Sequence, residues 1–423
     1  MNPRELLLGS FAAAVAAADP LQVVPPHLPP PPRGRTVVVG AGKAAGSMAL
    51  AVENHWPRDA PLEGVVITRY GHGLPAKRIR VVEAGHPVPD ESGEAAAREI
   101  LAAARALGPD DLLLVLVSGG GSSLLALPVE GIGMADLKAV TRDLLASGAP
   151  IQDMNTVRKH LSQIQGGRLA AASRARVLAL VISDVTGDDP THIASGPCAP
   201  DPSTFAQARE ILERWGVRAP KAIAAYLESG AAGRIAETPK PGDPALARAE
   251  NRVIATAQRS LDAAATFVRA RGITPMVLGD SVTGESSEVA KVFAAIARQL
   301  RQRAHPFKPP VAVISGGETT VTLRGKGRGG RCSEFLLSLA IEAGGLADTW
   351  ALACDTDGID GSEDNAGALL TPDALERARA LGLAPQRMLA DNDGYGFFRA
   401  LGDLVVTGPT RTNVNDYRVI LVR

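Results

Sequence analysis

The chain has no excess charge of either sign: among its 423 residues, Lys+Arg and Asp+Glu number 45 each. With no whole-molecule field to draw it to nucleic acid or to an anionic membrane, any anion site must be built locally. Cysteine is scarce. Cys198, Cys332 and Cys354 are scattered, odd in number and without a C-x-x-C pair, which argues against a disulfide framework or a zinc cluster and fits a reducing, cytoplasmic setting. No apolar run approaches the length of a membrane span. One stretch, 6–18, imitates a secretory leader, since it follows Arg4 and ends in alanines. Glu5 interrupts that charged start, however, and Asn2-Pro3 supplies a cap and a first-turn residue, so the stretch is expected to form an ordinary packed helix.

The chain exceeds the roughly 250–300 residues at which single cores stop growing, so two α/β domains are expected. From Arg35 onward, strand and helix patterns alternate, the signature of a mainly parallel sheet with helices packed on it. The proline-rich stretch 25–32 should lie extended as a stiff spacer before the first strand. A segment rich in glycine, proline and charge, 228–251, interrupts the pattern. The domains are therefore expected at 1–240 and 241–423, with the strand 252–255 opening the second set of elements.

Three apolar strands run into turns of small residues. Val37-Val38-Val39 leads to Gly40-Ala41-Gly42-Lys43, 112–117 to Ser118-Gly119-Gly120-Gly121-Ser122-Ser123, and 311–314 to Ser315-Gly316-Gly317-Glu318. Such strand ends let backbone N–H groups converge on an anion, and three of them suggest a small, highly charged ligand. The first also matches the short dinucleotide fingerprint, but Thr68-Arg69 stand where an NAD site wants an acid and would suit a 2′-phosphate instead. Lys43 either points an ammonium at an anion or is a solvated helix-terminal lysine; the residues alone leave both open. His86, in the turn Gly85-His86-Pro87, is assigned no role.

Residues 154–171 read as one helix, with Arg158, Lys159 and His160 clustered near its start, ordinarily a solvated face. The strand 177–182 ends in Ser183-Asp184-Val185-Thr186-Gly187-Asp188-Asp189, and the strand 350–354 in Asp355-Thr356-Asp357-Gly358-Ile359-Asp360. Acids at the carboxyl ends of strands lie where open α/β sheets bind ligands, and grouped carboxylates suit Mg²⁺ held through water and phosphate. Ahead of a helix expected at 333–343, Arg324-Gly325-Lys326-Gly327-Arg328-Gly329-Gly330-Arg331 alternates cations with glycines. Its place between a strand and a helix favours a flexible anion clamp over a disordered RNA-binding run. There is no G-x-x-x-x-G-K-[ST] sequence and no protein-kinase set, so a nucleotide would need a different cradle.

Taken in order, these motifs resemble the glycerate 2-kinases whose C-terminal half is called the MOFRL domain, some of which carry a hydroxypyruvate reductase label. The resemblance covers nearly the whole chain. It rests on Val39-Gly40-Ala41-Gly42-Lys43-Ala44-Ala45, Gly85-His86-Pro87-Val88-Pro89-Asp90, Ser118-Gly119-Gly120-Gly121-Ser122 and Val157-Arg158-Lys159-His160-Leu161-Ser162. It continues through Ser315-Gly316-Gly317-Glu318-Thr319-Thr320, Thr356-Asp357-Gly358-Ile359-Asp360-Gly361 and Thr407-Gly408-Pro409-Thr410. What it implies is an N-terminal Rossmann-like sandwich, a C-terminal mixed-sheet domain, and an active site in the cleft between them, where D-glycerate is phosphorylated at its 2-hydroxyl with ATP and Mg²⁺. The family's functional Lys and Arg fall on Lys43 and Arg331. Cys332-Ser333 stand where the family usually has Asn-Gln, and Arg411 where Gly is common.

The residues and the resemblance meet at phosphoryl transfer. Lys43 and Arg331 are the expected catalytic pair. Gly40, Gly42, Ser118, Gly119, Gly120, Gly121, Ser122, Glu318 and Arg328 form the expected substrate- or phosphate-binding set, and Asp184, Asp188, Asp189, Asp355 and Asp357 are the metal candidates. The expected partner is the small molecule D-glycerate, not nucleic acid or membrane, with a homodimer left open. Two rivals stand beside this reading. An NADPH-dependent hydroxypyruvate reductase would use Gly40 to Ala45 and Arg69, leaving the acidic and basic loops without a purpose; a non-catalytic sensor would bind sugar acids or nucleotides without turnover.

Overall fold

A computed structural model describes residues 2–423. They form two compact units: 20–254, and the start of the chain up to Asp19 together with 255–423. In the first, β1 (Thr36–Ala41), β2 (Leu62–Arg69), β3 (Ile79–Ala84), β4 (Leu112–Val117), β5 (Arg176–Ile182) and β6 (Ala249–Ala255) form one sheet in the order β3-β2-β1-β4-β5-β6. β1 to β5 run parallel, with Thr36 opposite Leu62 on one side and Leu112 on the other. β1 and β4 are buried along their whole length, which is why they read as unbroken apolar runs and not as alternating ones. The strand order reverses between β1 and β4. The turns that follow these two strands therefore flank the crevice where such sheets bind ligands.

The structure departs from expectation in four places here. The division lies beyond 240/241, because the strand expected to open the second domain is part of β6, the edge strand of the first sheet. Residues 154–171 are not one helix: Ile151–His160 is helical, Gly166 and Gly167 turn the chain at φ 62° and 81°, and Arg168–Ala171 adds one further turn. Nor do all three of its basic residues face solvent. Lys159 Nζ is buried 2.7 Å from Asp201 Oδ1, and buried His160 places Nε2 3.2 Å from Glu237 Oε2. Buried ions persist where partners of opposite charge and further hydrogen bonds satisfy them, and Asp201 also accepts from Thr238 and Ser203. The proline-rich stretch is only partly extended, since Pro25–His27 forms a 3-10 turn.

The second unit contains β7 (Thr274–Val277), β8 (Gly284–Glu285), β9 (Val311–Ser315), β10 (Thr319–Thr320), β11 (Thr349–Asp355), β12 (Gly367–Leu370), β13 (Leu404–Val405) and β14 (Asp416–Val422). β8 and β10 pair separately; the others form a mixed sheet in the order β13-β12-β11-β14-β9-β7, parallel only between β7 and β9. Side chains alternate across it. Tyr417, Val419 and Leu421 join the core beneath the helices Pro3–Ala16 and Ala257–Arg269, while Ile420 and Val422 join Phe335, Leu336 and Leu339 of the helix Arg331–Ala343. The chain's first helix is thus a packed one, capped by Asn2, whose side chain accepts the Arg4 N–H at 3.0 Å. Among the described residues no single helix is long and apolar enough to cross a membrane. The three cysteines are free and buried, and burial pushes the Cys198 thiol up to about 12.

Because Phe11 lies in this core against the Tyr417 ring, Phe11→Ala is expected to cost the second unit about 3–5 kcal/mol. Urea denaturation followed through Trp350 fluorescence measures this, and a loss below about 1 kcal/mol would show that the helix does not belong to the core.

Candidate functional site

The first glycine-rich turn has little backbone left to offer an anion. The N–H groups of Gly42, Lys43 and Ala44 donate to Ile67 O at 3.1 Å, Gly119 O at 2.8 Å and Ser118 Oγ at 3.0 Å, and that of Ala45 to Gly42 O at 3.0 Å. A dinucleotide pyrophosphate would need these amides. Gly40 and Gly42 therefore shape the turn, and what it presents is the Lys43 side chain. Ser118 also serves the scaffold, donating its N–H to Ala41 O while its Oγ receives the Ala44 bond. Gly119 and Gly120, by contrast, make no backbone N–H bond among the described residues. A methyl group on Gly120, at φ 79°, would lie 2.7 Å from His86 Nε2 and 3.4 Å from Lys43 Cγ, so bare backbone is what lets His86 and Lys43 approach this turn.

Gly121 opens the one-turn helix Gly121–Leu124. Ser122 is held by groups from distant segments. Its Oγ is 2.8 Å from Ser195 Oγ, which lies 3.2 Å from Asn155 Oδ1, and Gln165 Nε2 donates to Ser122 O at 2.9 Å. Neither Gln165 and Ser195, which bond Ser122, nor Asn155 behind Ser195 and His86 beside Gly120 has a sequence spacing that announces its contact. After β5, Asp184 and Asp188 are half-buried and Asp189 is exposed, its carboxylate accepting the Thr191 N–H at 2.9 Å.

In the second unit Arg331 opens the helix Arg331–Ala343 and is held on three sides. Nε lies 2.6 Å from Asp416 Oδ1, Nη2 2.6 Å from Asp355 Oδ2, and Nη1 3.1 Å from Glu318 Oε1. Asp416 is shared with the fully buried Arg418, which donates also to Gly316 O at 2.8 Å and Thr319 Oγ1 at 2.9 Å. Burial works against the Arg331 charge, but Asp416, Asp355 and Glu318 outweigh it and hold the guanidinium well above its ordinary pKa. Asp355, a metal candidate from the sequence, here anchors Arg331, and its other oxygen accepts the Asp357 N–H at 3.1 Å. Asp357 is buried and accepts the Ile359 N–H at 2.9 Å. Asp360 receives the N–H groups of Cys332 and Ser333 at 2.9 Å each, capping the helix from another loop. Asp416 and Arg418 escaped the sequence reading, although two charges alternating in an otherwise apolar strand were a visible signal.

The basic loop is anchored where flexibility was expected. Asn392 Oδ1 accepts the N–H groups of Arg324 and Gly325 at 2.7 and 3.0 Å, Asp391 Oδ1 that of Lys326 at 3.0 Å, and Asp393 Oδ1 that of Arg328 at 3.2 Å. A methyl group on Gly325 would sit 2.3 Å from Asp391 Oδ1, so this glycine permits close approach of two chain segments. Arg328 pairs with Glu363 and lies 4.5 Å over the Tyr395 ring. Among the described residues, no three His, Cys, Asp or Glu side chains meet as a ready-made metal cage. Dispersed strand-end carboxylates fit Mg²⁺, which keeps several waters and shares phosphate oxygens.

Residues 6–228 match the domain of unknown function DUF4147, and residues 311–416 match the MOFRL family. A protein of Agrobacterium vitis with a provisional hydroxypyruvate reductase name is 52% identical over 100% of this chain and 95% of its own. A glycerate 2-kinase of Pyrococcus horikoshii is 37% identical over 100% of this chain and 98% of its own. The chain belongs to the MOFRL glycerate kinase family. The crystal structure of Thermotoga maritima glycerate kinase matches it with a TM-score of 0.88 and 36% identity, covering 99% of each chain. Against the family pattern, Cys332 is fully buried with Sγ 3.7 Å from Asp416 Oδ1, and Ser333 Oγ bonds the backbone of Gly330, so both departures serve the helix start. Arg411 adopts φ 64°, the left-handed region that accounts for the glycine common at this position of the family.

Asp416→Asn leaves two guanidinium groups without their shared anion and is expected to destabilise the second unit by about 3–5 kcal/mol. Adding Arg418→Met should recover part of the loss in urea denaturation. A single-variant cost below about 1 kcal/mol would mean that Asp416 does not hold this cluster together.

Proposed function

We propose that this protein transfers the γ-phosphoryl group of ATP to the 2-hydroxyl of D-glycerate, giving 2-phosphoglycerate and ADP. The observation that carries the reading is the Arg331 guanidinium, fixed by Asp416 and Asp355 beside a glycine-rich strand end, in a chain whose near-full-length relatives include glycerate kinases. Phosphoryl transfer needs positioning and charge stabilisation more than covalent help from the protein. Lys43 and Arg331 are the cations that neutralise charge on the transferring group. Because Asp416 and Asp355 already orient the guanidinium, little reorganisation is needed as charge develops. The N–H groups of Gly119 and Gly120 and the Ser122 hydroxyl bind anionic oxygen.

Glu318 has a side chain 54% exposed, against 5% for Asp355 and 0% for Asp416. It is the carboxylate around Arg331 best able to take the hydroxyl proton. Asp184, Asp188 and Asp189 would hold Mg²⁺, which when bound neutralises nucleotide phosphate. The reductase reading gains nothing from the first turn, whose amides are engaged within the protein. Three buried free thiols suit a reducing, cytoplasmic setting.

With D-glycerate and MgATP the protein is expected to release ADP and 2-phosphoglycerate, identified by phosphorus NMR, while hydroxypyruvate with NADPH gives no absorbance change. The reverse pattern would install the reductase, and binding without turnover in both assays the sensor. Lys43→Ala and Arg331→Ala should each lower kcat by roughly 10²–10³ with the fold retained. Near-wild-type turnover in either would remove that residue from the catalytic pair.

A further inference from the structure

Three consecutive basic residues on the helix Ile151–His160 have different surroundings. Lys159 is paired with Asp201 and His160 with Glu237. Arg158 has neither: among the described residues its guanidinium makes no hydrogen bond or ion pair. It lines a cleft with Pro87, Pro89, Ser122, Ser123, Ser162 and Gln165. Asn155, one turn earlier, binds Ser195 beside Ser122, so this side of the helix is turned to the glycine-rich strand end. Gln165 adds a second unmet group, for its Nε2 donates to Ser122 O and Leu125 O while its buried Oε1 has no partner.

Burial, with no carboxylate to offset it, lowers the Arg158 pKa to about 10, which still leaves it cationic at neutral pH. A desolvated charge without a partner is unfavourable for the fold alone. A charge held this way in a cleft lined by serines and Gln165 is accounted for by a ligand that supplies the missing anion. Guanidinium binds carboxylate through two parallel hydrogen bonds, and Gln165, which lines the same cleft, has a buried Oε1 still without a donor.

We propose that Arg158 binds the carboxylate of the acceptor, a small hydroxy acid, with Gln165 and the neighbouring serines taking its hydroxyl groups. This rests on the glycerate kinase reading above and assigns acceptor recognition to the first unit.

The test compares wild type, Arg158→Met and Arg158→Lys by steady-state kinetics, calorimetric titration with D-glycerate and with MgATP, and thermal melting. Arg158→Met is expected to raise the KM for D-glycerate about 100-fold or more, with ATP binding unchanged and a Tm equal to or above that of wild type. Arg158→Lys keeps the charge but not the fork and should fall between the two. An unchanged KM for D-glycerate in both variants would overturn the assignment while leaving the kinase reading intact. A lower Tm with parallel loss of glycerate and ATP binding in both variants would show a structural role and overturn it as well. Wild-type protein that neither binds nor phosphorylates D-glycerate would remove the kinase reading first, and this assignment with it.

Discussion

Asp416 is the group on which the chemistry of the second unit depends. It sits with no exposed side-chain surface between Arg331 and Arg418 and is, among the described residues, the one carboxylate that pairs with both. Arg331 stands at the first position of a helix, where the backbone dipole disfavours positive charge. Asp416 and Asp355 offset that penalty, and Asp360 takes the first free helix amides, so the cation and the helix start are satisfied by different acids. The result is a guanidinium whose charge and direction are set before any ligand arrives. Such preorganisation suits charge that grows during a reaction, since the donors need not turn to meet it.

Arg158 shows the opposite solution in the first unit. No acid accompanies it, so an incoming carboxylate meets the whole of its charge. A cation without competing anions favours tight binding of an anion already present in the ground state. A cation already bonded to carboxylates gains less from ground-state binding and more where charge increases at the reacting centre. The two arginines thus divide naturally between recognition and turnover, with Lys43 at the glycine-rich turn beside Gly120.

Much of this was legible in the sequence. Unbroken apolar runs ending in small residues located β1, β4 and β9, whereas Lys43 and Arg331 were singled out among the cations by the family resemblance. Other features were hidden for physical reasons. Glycine serves both flexibility and close packing, so the loop around Gly325 read as mobile although its glycine admits Asp391. Arg158, Lys159 and His160 look alike in a string of basic residues. Only the fold reveals that Asp201 and Glu237, far along the chain, partner two of them and leave the third. His86, Asn155, Gln165 and Ser195 reach the turn at Ser122 through long-range topology, which local periodicity does not encode.

The turns shared with the family acquire a physical explanation from the same network. Thr356 follows Asp355, and Asn415 precedes Asp416. The Thr356 N–H and Oγ1 donate to Asn415 O at 3.1 and 2.6 Å, and Thr356 Oγ1 accepts the Val414 N–H at 2.9 Å. Thr410 closes the arrangement by donating its N–H to Asp357 O at 3.0 Å. The two carboxylates that hold Arg331 therefore come from backbone segments clamped directly to each other. A shift in one segment carries the other with it, which preserves the spacing of the two acids around a planar guanidinium. A threonine in this clamp can thus be as necessary to the direction of Arg331 as the acids that touch it, without approaching the substrate.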